Sequence, residues 1–180
     1  MNTTSSSSDL LSNELIDAVV DTLSQGEALL QMLDDDVYSR KLRDAMHASI
    51  GGHFRHCLDH FICLMSALDT GSLNYDLRER DASLESDRFA AINMTRRIKR
   101  DFIATTEGLC NLPLQVSCKV NYDTEDAQRV TSCIERELMY VVAHTIHHYA
   151  LIRLLAGLMD VTLPKDFGVS PSTVVHRSGK

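Results

Sequence analysis

The chain has 180 residues, 44% hydrophobic and 24% charged, with a formal net charge of −7. That length suits one domain with a real core, and the acidic balance argues against nucleic acid, which selects basic surfaces. No apolar run is long enough to span a bilayer, and the stretch from Met1 to Asp9 lacks the basic start and apolar core of a signal peptide, so a cytoplasmic protein is expected.

Residues 1–8 are polar and Ser/Thr-rich and read as a disordered tail. From Leu10 to Leu33, Leu15, Ile16, Val19, Val20, Leu23, Leu30 and Leu33 recur at helical spacing, which predicts a first helix. The run Asp34-Asp35-Asp36 ends it, because acidic side chains oppose the macrodipole at a helix C-terminus. Residues 37–47 read as irregular or a short helix. Ser49 is an N-cap for a second helix that runs to about Asp69 and stops at Thr70-Gly71. Its apolar stripe includes Phe54, Cys57, Leu58, Phe61 and Leu64. Asn74 to Glu85 form a long charged loop, unusual between bundle helices.

Ser86 caps a third helix over Asp87 to Glu107, and Pro113 follows its end. Leu114 to Val120 alternate apolar and polar, a short extended segment. Ser132 with Glu135 makes a capping-box pattern for a fourth helix. That helix is apolar almost all round, which predicts burial. From Pro164 onward a tail carries Phe167 and Pro171 and then turns polar. The five cysteines, Cys57, Cys63, Cys110, Cys118 and Cys133, include no Cys-x-x-Cys pair and read as reduced, mostly buried thiols. The expected fold is all-α: a four-helix bundle over 9–165, with the long loop between helices two and three and the extended segment between helices three and four. Residues 166–180 would pack on the bundle or leave it.

Six of the eight histidines fall in two short windows. His53, His56 and His60 lie on the second helix; His144, His147 and His148 lie on the fourth. Residues three or four apart share a helix face, so His144 and His148 present two imidazoles together. A third from the second helix would complete a three-histidine site for a transition metal: His56, with His53 and His60 as close alternatives by helical angle. His147 points away and is expected at a surface or a subunit contact. Imidazole suits zinc, nickel, copper or iron rather than magnesium or calcium. Three protein ligands leave positions for water or substrate, and bound water becomes more acidic. Glu137, one heptad before His144, is a candidate base or ligand-orienting group; the alternative is a surface glutamate. In the charged loop Tyr75, Arg78 and Arg80 are candidates for binding an anionic substrate.

The segments His56-Cys57-Leu58-Asp59 and His144-Thr-Ile-His-His148 resemble the motifs of the DinB-like (YfiT-like) superfamily of metal-binding helical bundles. Where that family carries an Arg-Gly-Gln-like stretch, this chain has Tyr149-Ala150-Leu151. The resemblance implies a four-helix bundle, one divalent ion on three histidines, and a homodimer. It selects His56 as the helix-two ligand and marks Asp59 as the acidic residue three positions later. It also implies a thiol-dependent S-transferase or a hydrolase acting on a small molecule, with zinc or nickel and a low-molecular-weight thiol as cofactors. The alternative is a non-catalytic, metal-stabilised binding or stress-related bundle, with His53 or His60 closing the coordination shell. A third reading is a helical dimerisation domain without metal.

Overall fold

A computed structural model describes residues 7–104, 112–123 and 126–179. Helix α1 (Ser7–Met32) leads into the short α2 (Asp35–Ser39). The acidic run both stops α1 and starts α2, because the Asp34 side chain accepts the Val37 N–H at 2.7 Å. A 3-10 turn (Arg43–Ala45) precedes α3 (Ile50–Thr70). Ser49 caps α3 by accepting from the Gly52 N–H at 3.0 Å, and Gly71 ends it at φ 66°. That left-handed conformation favours glycine.

The all-α expectation is corrected by a three-stranded sheet. Strands β1 (Ser72–Asn74), β2 (Pro113–Cys118) and β3 (Gln128–Cys133) lie in the order β1-β2-β3. β1 pairs parallel with β2, Leu73 opposite Val116; β2 pairs antiparallel with β3, Val116 opposite Val130. β1 ends at Asn74, where the charged loop was expected to begin, and the short helix α4 (Ser83–Ser86) takes up the end of that loop. The physical reason is burial: Leu73 and Leu84 are both core residues, and each draws its short segment onto α3. The expected extended segment is β2, ending at Cys118 rather than Val120.

Helix α5 (Arg88–Ala104) is capped by Asp87, which accepts from the Phe89 and Ala90 N–H groups at 2.8 and 3.1 Å. Ser86 does not cap it, because its hydroxyl already donates to the Ala82 carbonyl at 3.0 Å inside α4. The expected end at Glu107 lies outside the described residues. Helix α6 (Ile134–Leu158) likewise departs from its capping box. Cys133 is the N-cap, with no side-chain capping bond, and Ser132 belongs to β3. Nor is α6 buried all round: Met139, Leu154 and Leu158 are exposed.

α3 packs against α6, and α1 against both α5 and α6. Phe54, Leu58, Phe61 and Leu64 of α3 meet Val19, Leu23 and Leu30 of α1 and Val141, Ile152 and Leu155 of α6 in one core. Gly26 lets α1 approach α6: a Cβ there would lie 2.0 Å from the Tyr149 hydroxyl, which donates to the Thr22 carbonyl at 3.2 Å. Glu27 ties α1 to α5 through Arg96 at 2.7 Å and Lys99 at 2.5 Å. The C-terminal segment packs on this frame. Phe167 is buried and stacks on Tyr149 at 4.8 Å, and Ser170 caps α7 (Pro171–Arg177). Among the described residues no helix is long and apolar enough to cross a membrane. Cys57, Cys63, Cys118 and Cys133 are free thiols, and Cys110 lies outside the described residues.

Candidate metal centre

The α3–α6 seam brings five histidines into one contiguous cluster. His53, His56 and His60 come from α3, at successive turns; His144 and His148 come from α6. His56 Nε2 lies 2.9 Å from His144 Nε2, and His53 Nδ1 lies 2.8 Å from His148 Nδ1. The His148 ring is 4.4 Å from that of His56 and 4.6 Å from that of His144. Among the described residues, the side chains whose donor atoms all lie within 4.8 Å of one another are His56, His60 and His144. His60 thus enters the tightest set, where the spacing had placed it as an alternative. His148 borders that set with its Nδ1 turned to His53. His147 is exposed, as its helical angle requires.

The tautomer of His60 follows from its surroundings. Its Nδ1–H donates to the His56 carbonyl at 2.8 Å, so Nε2 keeps a free lone pair. Metal-bound histidines are commonly held this way, the second ring nitrogen donating to a carbonyl or carboxylate. All five imidazoles are held neutral. Burial, then the neighbouring imidazoles His60 and His148, pushes His56 down to about 2. Burial and then His144 take His148 to about 3, and burial takes His60 to about 4 against the His56 carbonyl bond. Burial also lowers His53 and His144. Neutral imidazole is the form that binds metal.

The donor set fits a first-row transition ion. A tetrahedral ion with bonds of 2.0–2.1 Å separates its nitrogens by roughly 3.3 Å. The 2.9 Å approach and the 4.8 Å outer limit bracket that value. No carboxylate belongs to the triplet among the described residues, which disfavours calcium and magnesium.

Aromatic rings fix the imidazoles. Tyr75 stacks on His60 at 5.0 Å and Tyr140 on His144 at 5.5 Å, with interplanar angles of 23° and 20°. Tyr140 was not anticipated, although it lies one turn before His144 and so shares its face. Glu137 is buried, so the surface alternative fails. Its Oε1 accepts from Ser132 Oγ at 2.6 Å and Arg136 Nη1 at 2.8 Å, and its Oε2 from the Tyr75 hydroxyl at 3.0 Å. Glu137 therefore reaches the cluster through Tyr75 rather than by direct ligation. Asp59 is also buried. Burial raises its carboxyl above the usual range against the pull of Arg55 and Arg78, and its Oδ2 lies 3.9 Å from Arg78 Nε.

A cleft of about 840 Å³ opens from His56, His60 and His144. Tyr75 and Arg78 line it, as do Tyr140, Arg136 and residues of β2 and β3. Arg80 is exposed, at φ 55°, and does not line the cleft. The sheet, of which the sequence showed only β2, is thus one wall of the site.

No protein-family model matches the chain, and no solved structure matches it. A protein named FK506-binding protein 5, from Rhizopus delemar, is 33% identical over 104 residues, which are 58% of this chain and 27% of that protein. The chain therefore spans little more than a quarter of that relative's length. Its name is that of a binding protein, not of a DinB-like protein, a transferase or a hydrolase, so the enzyme classes expected from the resemblance are not retained.

Proposed function

We propose that this protein binds one divalent transition metal, zinc or nickel, between α3 and α6, and presents it to a small molecule in the adjoining cleft. The observation that carries the reading is the convergence of His56, His60 and His144, with donor atoms within 4.8 Å and imidazoles held neutral by burial. Two helices supply the ligands, so the ion would clamp the seam on which the core is built. A bound ion would supply Lewis acidity to whatever occupies its remaining positions. The chain's own residues orient the site: the His56 carbonyl fixes the His60 tautomer, and the two tyrosines hold His60 and His144 face-on.

His148 decides between an open and a closed shell. Its ring lies against His56 and His144, but its Nδ1 is engaged with His53. The cleft lies on the side of His56, His60 and His144 and is not lined by His148. That arrangement favours an open position facing the cleft over a purely structural ion. The test is metal content by mass spectrometry on protein purified without a histidine tag, with the visible spectrum of the cobalt-substituted form. One equivalent of metal and a cobalt spectrum that changes on adding azide are expected. Metal-free protein that takes up no zinc, nickel or cobalt on dialysis would refute the reading.

A further inference from the structure

The charges around the cleft are unequal in how they are used. Glu137 has both oxygens occupied by Ser132, Arg136 and Tyr75. Asp76 Oδ2 accepts the backbone N–H of Lys119 at 2.7 Å. Arg78 is different. Its Nη1 donates to the Tyr75 carbonyl at 2.5 Å, but its buried Nε has no hydrogen-bond partner among the described residues. Asp59 stands 3.9 Å from that nitrogen, close enough to share charge and too far to accept its hydrogen. That nitrogen is sealed from solvent beside Asp59, so a ligand oxygen would meet instead the part of the Arg78 side chain that lines the cleft.

The same side chain lines one cleft with all three imidazoles of the triplet, so its charge faces whatever they hold. Three neutral imidazoles cannot offset the charge of a divalent ion. An ion in the triplet and a guanidinium beside it repel each other unless an anion stands between them. The rest of the cleft is suited to an apolar body. The Tyr75 and Tyr140 rings lie 5.4 Å apart on one side, and Val116 and Val130 stand on the sheet wall.

We propose that the cleft takes a small organic carboxylate with a flat apolar body, its anionic head bridging Arg78 and the imidazole triplet and its body between the tyrosines and the β2–β3 wall. The field of the ion comes from the metal reading above, on which this proposal rests; the place of Arg78 on the cleft wall does not depend on it.

The experiment is calorimetric titration of the zinc-loaded full chain with benzoate, and with benzamide as its uncharged isostere. Saturable benzoate binding is expected, with benzamide weaker by about tenfold to a hundredfold, the worth of one charge-assisted contact. Arg78→Met should weaken benzoate by a similar factor, and Arg78→Lys, which keeps the charge but not the planar fork, by less. Val130→Trp should block the cleft without unfolding the chain, because Val130 is 60% exposed. Equal affinity for benzoate and benzamide, or benzoate binding unchanged in Arg78→Met, would overturn the proposal. Metal content is measured on the same samples. One equivalent of zinc without saturable benzoate binding overturns the carboxylate site and leaves the metal centre standing. Arg78-dependent benzoate binding by protein that takes up no metal sustains the carboxylate site and overturns the metal centre.

Discussion

Replacing His144 by alanine removes the α6 ligand from the triplet, leaving His56 without the nitrogen that faces it at 2.9 Å. A complete four-ligand zinc site is worth roughly 10–16 kcal/mol, or about 2.5–4 kcal/mol per ligand. Losing one ligand should therefore weaken binding by about a hundredfold to a thousandfold. With free zinc about a hundredfold above the dissociation constant of the parent protein, binding adds about 2.7 kcal/mol of stability. For a chain of 180 residues that raises the melting temperature by roughly 5–11 °C. The same zinc concentration would sit at or below the dissociation constant of His144→Ala. It would then add less than about 0.5 kcal/mol, a rise of under about 2 °C. The assay is a calorimetric melt of each protein with EDTA and with zinc. His144 is partly buried, so alanine also loses packing, but that loss appears equally in both melts and cancels in the zinc-dependent difference. An undiminished zinc-dependent rise in His144→Ala, or no rise in the parent with zinc, nickel, iron or copper, refutes the reasoning.

Three further outcomes follow from the same geometry. The metal-free fold should lose stability in acid: the folded values of His56, His60 and His148 lie below their ordinary 6.5, so their contribution is full above that value and is lost as pH falls toward about 4 and below. A urea midpoint unchanged between about pH 7.5 and about pH 5 would contradict this. Glu137→Gln places amide hydrogens against the donors Tyr75, Ser132 and Arg136 and should cost about 1–3 kcal/mol, read as a lower urea midpoint; equal midpoints would show that the carboxylate does not organise the site. Gly26→Leu forces a side chain into the Tyr149 ring and should cost about 1–3 kcal/mol or more, and a melting temperature equal to the parent's would mean that α1 and α6 do not meet there.

The long helices were legible because each carries its own signals. Ser49, Gly71 and the Phe54–Leu58–Phe61 stripe delimit α3 without help from the rest of the chain. In the sheet only β2 carries such a signal, the alternation from Leu114; β1 and β3 carry none. β1 has three residues, and its one buried side chain, Leu73, establishes no period. In β3, four successive residues are exposed, so the alternation that a half-buried strand shows is absent. β3 exists because β2 offers it a ladder, and that pairing is a long-range fact.

The site divides in the same way. Helical spacing identified which histidines share a seam, since a 3.6-residue period fixes the direction of each side chain from its helix. It could not rank His60 against His148. That choice depends on distances across the seam: a donor atom of His60 lies within 4.8 Å of those of His56 and His144, whereas His148 turns its Nδ1 to His53, a residue 95 positions away. Ser132 shows why a local motif yields to a distant partner. The Ser132–Glu135 spacing suits a capping box, but Ser132 pairs with Leu114 in the β2–β3 ladder, and its hydroxyl donates to Glu137 instead. That bond helps hold the carboxylate that accepts from Tyr75, and Tyr75 in turn stacks on His60. The lost cap and the ordered imidazole are thus two ends of one chain of contacts, and β3, the strand least visible in the sequence, is what joins them.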